Sequence, residues 1–337
     1  MSKTIIWIVI IVLIVLGGYY LWKQAATAPG GEKGGTGGGT EGGVFKIGSL
    51  LPLTGDATAY GIPLQRAGLL AVEEINAAGG IDGKKIEMVW EDSKCDAAGG
   101  AAAAQKLVNV DKVKYIFGGA CSSETLAAAP ITEEAKVILL SPSATSPDVT
   151  KAGDFVFRTC PSDALAGRIA ANYAYNTMKA KKVAVISETT DYAQGVRKVF
   201  VERFKELGGQ IVTDEQYDTG VTDFRTQVLK MKNSKADVVY VVPQSPTPGI
   251  AILQQMKAQG MKLPVLTTEV LLGRDVISEN KSLVEGMVGI EQYFDETAPL
   301  QKKFIDAYKA KFNEELAFPG YMADMYSQFY LLKQAIE

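Results

Sequence analysis

From Val44 onward the chain alternates short runs of β-branched and apolar residues with stretches of helical period. Parallel strands cannot be joined by a tight turn, so this alternation predicts parallel sheets covered by helices. Residues 44–51 read as the first strand. Residues 63–78 read as a helix in which Leu64, Ala67, Leu70, Ala71 and Ile75 recur at helical spacing before Gly79 and Gly80 stop it. A strand at 85–91 follows, then an alanine-rich helix capped by Asp96 and running to Val108, with further strands at 113–117 and 137–141. A second series starts near Phe155, with helices at 163–178, 193–207, 224–232 and 250–259 and strands at 182–187, 211–217, 238–242 and 265–267. Each series has around 100 residues, enough for one sheet and its helices, so the expectation is two Rossmann-like lobes. Two amphipathic helices, 299–312 and 322–336, come last.

The stretch VKYIFGGACSSETLAAAPITEEA, residues 113–135, is the most informative unit. A buried strand turns through Gly118 and Gly119, whose lack of side chains permits a sharp bend, into a helix that opens on hydroxyls. Ser122 or Ser123 suits the N-cap. The unpaired first N–H groups and the helix dipole make a small anion site there, or else the helix is simply capped. No Lys or Arg lies between Phe117 and Glu134, so a carboxylate suits the site better than a phosphate. The polar segment SPSATSPDVT, residues 141–150, follows the next strand, at the end where open α/β sheets hold ligands.

Composition narrows the chemistry. The chain has no histidine, which removes the usual general base and the commonest metal ligand. A net charge of −3 disfavours a nucleic-acid partner. Nothing suggests a cofactor or a metal. Residues 5–22 form an uncharged apolar stretch that spans ~27 Å as a helix. The expectation for residues 1–23 is a retained transmembrane anchor, with a cleaved signal as the alternative, and for 24–43 a glycine-rich tether. Gly37, Gly39 and Gly42 spell GxGxxG, but no strand precedes them. Cys95 and Cys121 each follow a strand of the first lobe, which predicts a disulfide outside the membrane, with two buried thiols as the alternative; Cys160 is then unpaired.

The segments FKIGSLLPLTGDATAYG, AVEEINAAGGIDGKKIE, ACSSET, SPSATSPDVT, FVFRTCPSD and TTEVLLG stand in one order through nearly all of the chain after the tether. In this the chain resembles the type I periplasmic solute-binding proteins of ABC importers, and among them the branched-chain amino acid binders. The resemblance implies two lobes joined by crossing strands, 44–158 with 294–337 and 159–293, which close on a ligand held between them. It implies that Ser122 takes the ligand carboxylate through its hydroxyl and N–H, that Thr145 touches carboxylate and ammonium, and that the backbone carbonyl of Ser143, beside Ala144, accepts from the ammonium. Glu269 resembles the acidic partner of that ammonium, Tyr60 and Tyr192 resemble the aromatics of the two cleft walls, and Cys95 with Cys121 matches the family disulfide.

Two departures accompany the resemblance. Pro243, Gln244, Ser245 and Pro246 stand where the family often places another cleft aromatic. The family also continues past the last helix with strands that recross to the second lobe. The expectation is a monomeric, membrane-tethered amino-acid-binding component that presents its closed form to permease subunits on the extracytoplasmic face. A receptor ectodomain, or a binder of amides, urea or another small solute, is the alternative. An enzyme is disfavoured, because the set has no base paired with a nucleophile.

Overall fold

The computed structural model describes residues 43–337. The expected anchor and nearly all of the tether lie outside these residues. Among the described residues no helix is long and apolar enough to cross a membrane.

Two five-stranded sheets, all of whose pairings are parallel, organise the chain. The first contains β1 (Phe45–Leu51), β2 (Ile86–Asp92), β3 (Tyr115–Gly118), β4 (Ile138–Ser141) and β5 (Val156–Arg158), in the order β2-β1-β3-β4-β5. Its helices are α1 (Thr58–Ala77), α2 (Ala97–Asn109) and α3 (Ser122–Ala135). The second contains β6 (Lys182–Glu188), β7 (Gln210–Tyr217), β8 (Val238–Val242), β9 (Val265–Thr268) and β10 (Val288–Ile290), in the order β10-β9-β8-β6-β7. Around it lie α4 (Asp163–Asn172), α5 (Asp191–Glu206), α6 (Arg225–Asn233), α7 (Pro246–Ala258) and two short turns, α8 (Arg274–Glu279) and α9 (Lys281–Val284). Finally α10 (Pro299–Phe312) and α11 (Pro319–Ile336) return to the first sheet, where Phe329 meets Phe117 edge to face at 4.6 Å.

Burial follows from strand composition. β8 reads VVYVV and is buried at every position, as a central parallel strand covered on both faces must be. In α1 the buried residues include Leu64, Ala67, Leu70, Ala71 and Ile75, the stripe legible in the sequence, and Pro63 sits inside the helix on its half-buried side. The second series does not begin at Phe155. Residues Val156–Arg158 complete the first sheet beside β4, through Leu139 opposite Val156. The expected helix at 163–178 is α-helical only to Asn172 and continues through a wider turn over Tyr173–Thr177.

Each sheet reverses its winding once, between β1 and β3 in the first and between β6 and β8 in the second. Ligands of open α/β sheets bind at the carboxyl ends of strands at such points. Here those ends lead to the start of α3 and to Glu188 and Gln244, and the two sites face each other.

Candidate functional site

The turn from β3 into α3 is fixed by what surrounds its glycines. Gly118 adopts φ of +134°, and a side-chain carbon there would lie 2.1 Å from the Leu50 carbonyl oxygen. At Gly119 such a carbon would overlap the Glu124 carboxylate. The N-cap of α3 is neither Ser122 nor Ser123 but Cys121, which leaves Ser122 as the first helical residue. The cap moves back one residue because Glu124 reaches round to accept the Cys121 N–H at 3.0 Å, closing a capping box, while Cys121 is bonded to Cys95. Ser93 donates to the other Glu124 oxygen at 2.6 Å. Burial pushes the Glu124 carboxyl up to about 7. Cys95, Cys121 and Glu124 bring three metal-type donor atoms together, but the two sulfurs bond each other. Cys160 is a buried free thiol.

The segment after β4 is held at both ends. Ser141 Oγ donates to the Gly119 carbonyl at 2.6 Å and accepts the Ala144 N–H at 2.8 Å. Arg158 donates to the carbonyls of Ala144 and Ser146, at 3.2 and 2.7 Å, and Ser122 Oγ accepts the Ser146 N–H at 3.1 Å. These bonds press the segment against the start of α3, and Ser143 and Thr145 line the same cavity as Ser122.

From the second sheet, β9 delivers Glu269 into the gap. Its Oε1 accepts from the Tyr192 hydroxyl at 3.0 Å and from the Tyr321 hydroxyl at 3.2 Å, the latter contributed by α11. The carboxyl is pushed up to about 7, chiefly by burial and against the pull of those phenols. Asp163, at the start of α4, is raised too, first by burial and then by the charge of Glu269; its N–H donates to the Thr145 carbonyl at 2.8 Å. Glu188 at the end of β6 takes the Thr219 hydroxyl at 2.6 Å and the Gln244 N–H at 2.9 Å.

These groups enclose a cavity of about 20 Å³ lined by Tyr60, Ser122, Ser143, Thr145, Tyr192 and Glu269, all singled out in the sequence. Ala144 stands behind this wall, fully buried. Tyr321, Ala120, Cys121 and Val270 also line it and were not singled out for it, and Gln244 lines it from the four residues that stand where the family often places another cleft aromatic. Tyr321 carried no signal, since it sits in the apolar run of α11. No Lys or Arg lines the cavity among the described residues. The space holds about one water, so a larger solute enters only when the walls part. Those walls touch directly: the Asp191 N–H donates to Ser123 Oγ at 3.2 Å, and Gly195 of α5 lies against Ser146 and Pro147. Roomier grooves, of about 490, 470, 330 and 210 Å³, lie elsewhere and gather no comparable set of converging buried polar groups.

Hydroxyls and first-turn N–H groups on one wall, with a buried carboxylate on the other, suit a molecule carrying one negative and one positive end. Residues 44–337 match the periplasmic binding protein family along their whole length. The leucine-, isoleucine-, valine-, threonine- and alanine-binding protein of Pseudomonas aeruginosa is 33% identical over 269 residues, covering 79% of this chain and 71% of that protein. The Leu/Ile/Val-binding protein of Escherichia coli K12 is 30% identical over 268 residues, 79% of this chain and 72% of that one. Among solved structures, the branched-chain amino acid transporter substrate-binding protein LivJ of Streptococcus pneumoniae, in complex with isoleucine, superposes with a TM-score of 0.79 at 35% identity, covering 87% and 84% of the two chains. The leucine-binding protein LivK of Thermotoga maritima gives 0.80 at 30%, covering 86% and 82%.

Proposed function

The chain belongs to the periplasmic binding protein family, and from that premise we propose that it is the extracytoplasmic solute-binding component of an ABC importer that admits α-amino acids, those of the branched-chain class among them. The observation that carries the amino-acid reading is the pairing of Ser122, Ser143 and Thr145 with buried Glu269 across one cavity. Ser122 and Thr145 hold the carboxylate through hydroxyl and N–H groups. Glu269, the Thr145 hydroxyl and the Ser143 carbonyl hold the ammonium, and Tyr60 and Tyr192 pack on the remainder. Each hydrogen bond to a charged group nets about 1.5 to 3 kcal/mol. Three or four such terms, less the cost of closure and ordering, reach the roughly −8 kcal/mol of micromolar binding.

The lobes in this reading are 44–158 with 294–337 and 159–293, which work as a monomer. The ligand favours the closed arrangement because it bonds both walls at once, and permease subunits recognise that arrangement. The apolar stretch at 5–22 tethers the protein to the membrane.

Calorimetric titration of the protein with the twenty amino acids tests the proposal. Binding of a branched-chain amino acid is expected, and Glu269→Ala and Ser122→Ala should each weaken it at least about tenfold. Unchanged affinity in both variants discards the zwitterion site.

A further inference from the structure

We propose that the Tyr60 hydroxyl and the Gln244 amide are specificity-determining groups that hydrogen-bond the far end of the ligand's side chain. The cleft would then prefer an uncharged α-amino acid whose side chain bears a hydroxyl or an amide over its hydrocarbon isostere. This rests on the amino-acid reading of the cleft and adds to it which side chain the cleft favours.

The first ground is the lining. Apart from the groups assigned to the carboxylate and ammonium, the walls consist of Tyr60, Tyr192, Tyr321, Gln244, Ala120 and Val270, with Cys121 in its disulfide. No Leu, Ile, Met or Phe reaches the cavity among the described residues. Ring faces accept hydrocarbon and polar side chains alike, so the choice falls to the polar groups that lack partners.

Tyr60 is the clearest of these. Its side chain is buried, at 9% exposure, and its hydroxyl has no hydrogen-bond partner. The other two phenols at the cavity are spoken for, since both donate to Glu269. The ring is stacked on Phe318 at 4.5 Å, so the hydroxyl cannot easily swing out to solvent. A buried hydroxyl left without a partner carries the full cost of its desolvation, which a ligand oxygen at the right place removes and a methyl group does not.

Gln244 supplies the second group. Its backbone N–H is tied to Glu188, whose other oxygen is taken by Thr219, so the start of the loop after β8 is anchored. Gln244 is half-buried, and its side-chain amide makes no hydrogen bond to protein among the described residues, so it stays free to turn to a ligand. It offers both a donor and an acceptor, which complements a hydroxyl or another amide.

Charge excludes the ionised alternatives. The one carboxylate that lines the cavity among the described residues is Glu269, already assigned to the ammonium, so a cationic side chain meets no second carboxylate there. An acidic side chain would meet Glu269 with no Lys or Arg at the cavity to offset it.

Calorimetric titration with threonine against valine, which differ by a hydroxyl in place of a methyl, and with asparagine against leucine, tests the proposal; lysine serves as the charged control. The expected result is that threonine binds at least about tenfold more tightly than valine, and asparagine more tightly than leucine. Tyr60→Phe and Gln244→Leu should each bring the threonine-to-valine ratio down toward one. Valine and leucine binding as tightly as threonine and asparagine in the unsubstituted protein overturns this inference and leaves the amino-acid reading standing. Lysine binding most tightly overturns it as well, and binding of none of the five overturns both.

Discussion

Glu269 is a carboxylate that the fold has taken out of water before any ammonium arrives. Burial raises it to about 7, from an ordinary 4.5, so near neutrality it holds its proton about half the time. The sign for the free protein follows. The folded form binds this proton more readily than the unfolded chain, so the stabilisation is fully present below about pH 4.5 and is lost as the pH rises through about 7. Glu124 acts in the same direction over the same range, again through burial. In the proposed site ligand affinity runs the opposite way, because an ammonium would be attracted only by the ionised Glu269. Affinity measured by calorimetry should rise at least about tenfold between about pH 5 and about pH 8. Glu269→Gln should flatten that rise and weaken binding at the upper end. A rise that persists in the variant would place the titrating group elsewhere.

At the scale of elements, the unit running from β3 into α3 explains both what the sequence disclosed and what it withheld. The strand, the two glycines and the helix were legible because each answers to local rules of propensity and backbone freedom. The cap was not. Serine is ordinarily preferred over cysteine at that position, and the displacement depends on the bond to Cys95 and on Glu124, which only the folded arrangement brings into place. The same distinction applies elsewhere. The strands Val156–Arg158 and Val288–Ile290 have three residues each, too short for any period to show, and are strands because β4 and β9 pair with them. Ser122, Thr145 and Glu269 were legible through a family resemblance, whereas Tyr321 and Asp163 enter the site from elements whose patterns say only that they are helical. The disulfide offers a test at this scale. It joins residues 26 apart, and in the chain-entropy account its loss costs roughly 3 to 4 kcal/mol. Reduction, or the paired change Cys95→Ser with Cys121→Ser, should lower the melting temperature by several degrees. An unchanged melting temperature would mean that the link constrains little beyond what Glu124 and Ser93 already hold.

At the scale of the whole molecule, two half-molecules are pressed together with almost no space left between them, so binding is an opening followed by a closing. Gly195 offers a way to separate these steps from the chemistry of the pocket. It lies in α5, outside the cavity lining, and a side-chain carbon there would stand 3.0 Å from Pro147 Cδ and 3.1 Å from Ser146 Oγ. Its backbone is helical, so Gly195→Val should fold and act as a wedge. The expected outcome is ligand affinity at least about tenfold weaker and a larger radius of gyration by small-angle X-ray scattering in the presence of ligand. Equal affinity and equal size would show that the two halves do not need that contact to shut.

The bond from the Asp191 N–H to Ser123 Oγ has a kinetic meaning of its own. It joins the two jaws through protein atoms alone, away from the solute. A trapped molecule can leave only after such contacts let go, so its dwell time is set partly by a patch it never touches. Sequence drift at that patch would alter how long cargo is retained while leaving untouched which cargo is chosen.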